Sequence, residues 1–234
     1  MKPFHFQQFS VQQHPEVFRV GTDGVLLGAL AQIEETAASI LEVGIGSGII
    51  TLMLAQRYPN ATFAAIDINP LAARLAAGNF KASAWSNRLT ATVADFKTFE
   101  TKFTVDHIVC NPPYFEVNDS GKDLWARQQL LLTFSDLIET SSKVLASSGK
   151  LSVIIPADSE KTFTEISEQH QFSKSRQVMI SGRRGSPPKR VVLEYIKNTN
   201  VQLSEEELVL ENNPREYSEE YLELTKDFHI FKKK

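Results

Sequence analysis

A single cysteine, Cys110, leaves no partner for an internal disulfide framework and fits a reducing compartment such as the cytoplasm. Histidines are few and scattered (His5, His14, His107, His170 and His229), and with one cysteine they offer no metal-ligand spacing, so no metal is expected. No apolar run approaches the roughly 20 residues that cross a bilayer, and Met1-Lys2-Pro3-Phe4-His5 lacks the apolar stretch of a secretory signal. Excess positive charge is missing too: a net charge of -3 argues against a broadly basic nucleic-acid binder. What remains, 42% hydrophobic and 23% charged over 234 residues, suits one well-cored α/β domain.

After an irregular N-terminal region, β-branched runs alternate with helical patterns. Strands are expected at Ser39–Val43, Thr62–Ile68, Leu89–Val93, Val105–Cys110 and Lys150–Ile155. Helices are expected at Val25–Ala31, Ile49–Arg57, from Pro70 to about Ala82, Ser135–Leu145 and Ser159–Gln169, with Pro70 well placed at a helix start. Two last strands, Ser175–Ile180 and Val191–Lys197, have no helix between them and should form an antiparallel hairpin at one edge. Together these predict a doubly wound, mostly parallel, seven-stranded sheet with a reversed edge strand. Residues 39–198 would be the catalytic core of a single domain, 1–38 an extension covering the active site, and 199–234 a C-terminal extension.

Leu41-Glu42-Val43-Gly44-Ile45-Gly46-Ser47-Gly48 ends a strand and opens a helix, where glycines permit a tight turn and close approach of backbone N–H groups to a ligand. The spacing is G-x-G-x-G, and the residues at Ile49 and Thr51 break the dinucleotide fingerprint, which disfavours NAD and FAD. Preceded by Glu42, the turn resembles the first motif of S-adenosylmethionine-dependent methyltransferases, and the expected sheet is that of their Rossmann-like fold. Asp67, with Ile68 beside it, closes the second strand where a carboxylate accepts hydrogen bonds from ribose hydroxyls; a helix cap before Pro70 is the plain alternative. Asp95 follows the third strand, where such enzymes place an acid against the adenine amino group, and Phe96 could wall the adenine.

Asn111-Pro112-Pro113-Tyr114 follows the strand ending at Cys110. The lone pair of an exocyclic amine is delocalised into its ring or amide, which makes it a poor nucleophile. The Asn111 side-chain oxygen and the Pro112 carbonyl can accept its two hydrogens, favour pyramidalisation and aim the nitrogen, while Pro113 stiffens the turn and Tyr114 stacks on the base. A paired base would first have to leave its stack, so an unpaired loop or flipped nucleotide is expected. By itself the motif fits adenine, cytosine, guanine or a glutamine amide equally well.

Charge is unevenly spread. Lys174, Arg176, Arg183, Arg184, Lys189 and Arg190 come without an intervening Asp or Glu, among Gly182, Gly185, Pro187 and Pro188. That composition predicts a basic loop meeting RNA phosphates. Acidic residues crowd the other end, at Glu205-Glu206-Glu207 and Glu219-Glu220.

The chain resembles the bacterial tRNA1(Val) adenine N6-methyltransferases over nearly its whole length. The resemblance is carried by the glycine and Asn-Pro-Pro-Tyr motifs, by Val20-Gly21-Thr22-Asp23-Gly24-Val25-Leu26-Leu27-Gly28, by Pro188-Lys189-Arg190-Val191 and by Tyr217-Ser218-Glu219-Glu220-Tyr221. It implies an S-adenosylmethionine cofactor and a tRNA adenosine next to the anticodon as substrate. It also puts Thr22 and Asp23 by the methionine end of the cofactor or in the active-site wall, and gives Arg127 of the Ala126-Arg127 pair a substrate role. An Asx turn is the bland alternative at Thr22-Asp23. Glutamine N5-methyltransferases of release factors share Asn-Pro-Pro-Tyr, but only about forty residues precede the first strand, too few for their N-terminal helical domain. Guanine N2- and DNA adenine methyltransferases usually carry a duplicated or added domain for which the length leaves no room. A non-catalytic RNA-binding protein on the same fold would not need the amine-holding motif. With no recognition domain, a monomer with limited contacts is expected.

Overall fold

The computed structural model describes residues 1–113 and 132–230. A short hairpin, β1 (Phe4–His5) and β2 (Ser10–Val11), precedes α1 (Thr22–Leu30). The core follows as β3 (Ser39–Val43), α2 (Ile49–Arg57), β4 (Thr62–Asp67), α3 (Pro70–Lys81), β5 (Leu89–Val93) and β6 (Val105–Cys110). Next come α4 (Phe134–Val144), β7 (Leu145–Pro156), α5 (Glu160–Gln169), β8 (Phe172–Arg183) and β9 (Pro188–Lys197). The C-terminal stretch adds β10 (Ser204–Asn213), β11 (Glu216–Tyr217) and α6 (Glu219–Thr225).

Local chemistry accounts for the helix starts. Asn69 caps α3 by accepting from Leu71 N at 2.9 Å, with Pro70 in the first turn. Thr133 and Asp136 form a reciprocal capping box at α4. Almost all of α1 is buried, and it packs tightly on α2: a Cβ on Gly28 would stand 2.9 Å from Met53 Cβ.

Among the described residues the main sheet has nine strands, where seven were expected, in the order β11-β10-β8-β9-β7-β6-β3-β4-β5. From β3 the parallel strands run outward both ways, to β4 and β5 on one side and to β6 and β7 on the other. The crevice beyond the C-terminal ends of β3 and β6 is therefore a topological switch point, where open α/β sheets bind ligands. Register carries this to individual residues: Val43 pairs with Cys110 and with Ile66, and Asp67 with Val93. Gly44, Asn111, Asp67 and Ala94 thus sit at one edge of the sheet.

Two expectations about the far edge need correction. The reversed strand is internal: β9 lies between β7 and β8, antiparallel to both. The edge is covered by β10, parallel to β8, and by β11. Because Glu205, Glu206 and Glu207 read as a solvated run, the strand containing them was not expected. Edge strands tolerate charge since both faces can reach water, and only Leu208 of β10 is buried. Nor is the basic segment a loop. β8 extends to Arg183 and β9 begins at Pro188, so only residues 184–187 connect them.

Candidate active site

The glycine turn follows β3. Gly44, Gly46 and Gly48 all adopt positive φ, of 77°, 51° and 81°. Gly44 N and Ile45 N donate to Ile66 O at 2.9 and 3.0 Å, tying the turn to β4. Gly46 N donates to Asp67 Oδ2 at 3.0 Å, while Asp67 Oδ1 accepts from Asn69 N at 2.9 Å. Asp67 thus braces the glycine turn; the cap of α3 is Asn69. At Gly48 a Cβ would meet Phe80 Cε1 at 2.7 Å, so this glycine lets α2 start against α3.

Glu42 is buried beneath the turn. Its Oε2 accepts from Thr51 N at 2.9 Å and from the Thr51 hydroxyl, whereas Oε1 is buried with no hydrogen-bond partner among the described residues. Burial pushes its carboxyl up to about 8, against the pull of the two Thr51 hydrogen bonds. A group raised in this way stabilises the fold fully below its unfolded value, and that contribution is lost as pH rises through about 8. His107, buried and held near 3 by desolvation, has the opposite trend. Glu42→Gln should therefore leave the His107 trend intact and remove the loss of ligand-free stability between about pH 5 and 8. Melting curves across that range test it; parallel pH profiles for the two proteins would rule it out.

A cavity of about 540 Å³ opens above these residues. Glu42, Gly44, Gly46, Asp67, Ile68 and Asn69 line it, together with Asp95, Phe96, Asn111, Pro112 and Pro113. Thr22 and Asp23 enter from the start of α1, and Asp23 Oδ2 accepts from Arg190 Nε at 3.0 Å. Asp95 Oδ1 accepts from Lys97 N at 3.0 Å, capping a short 3-10 turn whose Phe96 stacks on Phe99. Gly48 does not line the cavity, in contrast to Gly44 and Gly46. Tyr114 and Arg127 lie outside the described residues. Among the described residues no cluster of His, Cys, Asp and Glu could hold a metal ion.

Sequence reasoning missed Val17, Phe18 and Arg19, which also line the cavity. They belong to an irregular segment without periodicity, and the one available signal was an aromatic-basic pair directly before the Val20–Gly28 block.

The basic residues are mostly compensated. Arg176 is buried, gripping Glu206 through Nε (2.7 Å) and Nη2 (3.0 Å) and donating to Leu30 O at 2.8 Å; it is no RNA contact. Lys174 is held by Glu160 at 2.5 Å and Gln177 at 2.9 Å. Arg183 faces Glu211 at 3.7 Å and Arg184 meets Glu220 at 3.2 Å. The acidic C-terminal stretch folds back on the basic one, which no local reading of either reveals. Lys189 is exposed, and Arg190 is tied to Asp23.

These residues fit S-adenosylmethionine. The glycine turn admits close backbone approach, Asp67 stands at the second strand end, and the unpartnered Glu42 oxygen lies under a cavity that would receive a cationic ligand. Fold and site define a Rossmann-like, S-adenosylmethionine-dependent methyltransferase. Residues 9–182 match the methyltransferase small domain. A solved structure described as a predicted O-methyltransferase from Agrobacterium tumefaciens shares the fold, with a TM-score of 0.71 at 22% identity over 88% of this chain and 96% of that one.

Full-length relatives narrow the class. The tRNA1(Val) (adenine(37)-N6)-methyltransferase of Flavobacteriaceae bacterium (strain 3519-10) is 50% identical, over 99% of this chain and 100% of its own. The protein of that name from Bacteroides fragilis (strain ATCC 25285) is 36% identical, over 97% of both. The chain belongs to the tRNA1(Val) (adenine(37)-N6)-methyltransferase family.

Proposed function

We propose that this protein methylates N6 of adenosine 37 in tRNA1(Val), acting as a monomer in the cytoplasm. One observation carries the reading: the pairing of Val43 with Cys110 sets Asn111 beside the glycine turn, in the same cavity. A half-buried Asn111 and the Pro112 carbonyl then hold the adenine amine where its nitrogen faces the cofactor. When bound, S-adenosylmethionine supplies an electrophilic methyl group.

The residues contribute orientation and fixed dipoles. Cys110 is buried and its thiol is pushed up by burial, so it offers no base at neutral pH. None is required, because the nitrogen becomes acidic once methylated and its proton can leave to water. In this reading Asp67 takes the ribose hydroxyls and Asp95 the cofactor's adenine amino group.

Nucleoside mass spectrometry of purified tRNA1(Val) from a deletion strain tests the function. Loss of N6-methyladenosine, restored by the intact gene, is expected. An unchanged nucleoside profile with loss of a methylated glutamine in a release factor would overturn it in favour of the protein substrate.

A further inference from the structure

Residues 12–21 form neither helix nor strand, yet they are pinned over the glycine turn. Gln12 N donates to Asn79 Oδ1 at 2.8 Å, and Asn79 Nδ2 donates to Gln12 O at 3.1 Å and to Ser47 O at 2.9 Å. Val17 is buried, and Val20 N donates to Gln13 Oε1 at 3.2 Å. The chain between these anchors passes so close that a Cβ on Gly46 would lie 3.7 Å from Phe18 Cβ. Phe18 therefore stands on the cavity mouth, and 78% of it is exposed.

A ligand enclosed in the cavity can cover only the side of the ring turned toward it. Covering the rest requires a second body outside the mouth. The neighbouring Arg19 lines the same rim, is exposed, and pairs with no carboxylate among the described residues. That distinguishes it from Arg183, Arg184 and Arg190, each of which faces an acid within 4.0 Å. An exposed flat apolar face beside an uncompensated guanidinium matches single-stranded RNA, which offers a base to stack and a phosphate to pair within one nucleotide step.

We propose that Phe18 and Arg19 form the RNA-reading rim of the cavity, Phe18 stacking on the base next to the target adenine and Arg19 taking an adjacent phosphate. This rests on the tRNA reading above and adds a contact to it from the N-terminal segment.

The test uses the full chain with saturating S-adenosylhomocysteine and a tRNA1(Val) transcript. Phe18→Ala should raise the Kd for the transcript roughly tenfold or more, and Phe18→Trp should restore it. Arg19→Ala should lower the slope of log K against log salt by about 1. S-adenosylhomocysteine should still bind and saturate all three variants, which reports an intact fold. Unchanged transcript binding and slope would overturn the proposal. So would weakened S-adenosylhomocysteine binding with transcript affinity unaltered, since the ring would then be a cofactor cover. Wild-type protein that neither binds nor methylates the transcript would instead bring down the tRNA reading itself, and the rim with it.

Discussion

Asn111→Ala should lose about a hundred- to a thousandfold in kcat while its affinity for S-adenosylhomocysteine stays near the wild-type value. The backbone leading into this position is set by β6, whose last residue, Cys110, is paired with Val43 and wholly buried. What is removed is the side-chain amide, including the oxygen on which the proposed mechanism relies. In the proposed mechanism that oxygen accepts an N–H of the amine in the geometry where the nitrogen lone pair leaves conjugation, an interaction stronger in the transition state than before it. The loss should therefore fall on single-turnover rate and leave the cofactor KM little changed. A rate within about tenfold of wild type would sink the amine-holding mechanism. A cofactor Kd that rises with kcat spared would recast Asn111 as a cofactor contact.

The parts of this site that could be read from sequence are those built by strand-turn-helix units. Gly44, Gly46, Asp67, Asp95 and Asn111 each lie at the C-terminal end of a parallel strand or within three residues of it, so recognising the strand also placed the residue. Chain-distant pairing was invisible. Nothing near Arg176 announces that Glu206 will lie beside it on a parallel neighbour, and nothing near Arg184 announces Glu220. The Gly and Pro residues of 182–188 marked a real turn but exaggerated its length, since Lys189 and Arg190 pair into β9 and Lys174 and Arg176 into β8. Phe18 and Arg19 escaped for a different reason. An irregular segment has no period, and its position over the glycine turn comes from Asn79, on α3.

Arg176→Ala should lower folding stability by about 3–5 kcal/mol, the range for removing one partner of a buried charge cluster. The side chain is only 8% exposed and sits between Glu206 and Glu194, with Nη1 3.7 Å from Glu194 Oε1. Glu194 also accepts from Gln32 N at 2.7 Å and from Ser152 Oγ at 3.2 Å, and Ser152 in turn contacts His107 Nε2 at 2.8 Å. Burial pushes the Glu194 carboxyl up, while the Gln32 amide and Arg176 pull it back. Without the guanidinium its folded value rises further, so its stabilising contribution is retained at low pH and lost as pH rises. The deficit measured by urea unfolding should accordingly be larger at about pH 8 than at about pH 5. A deficit below about 1 kcal/mol, or one independent of pH, would refute the buried-charge account. Because Arg176 also holds Leu30 O at the end of α1, and that helix begins with Thr22 and Asp23 in the cavity wall, cofactor affinity should weaken alongside stability. The salt slope of tRNA binding should not change, because this arginine spends its charge inside the protein.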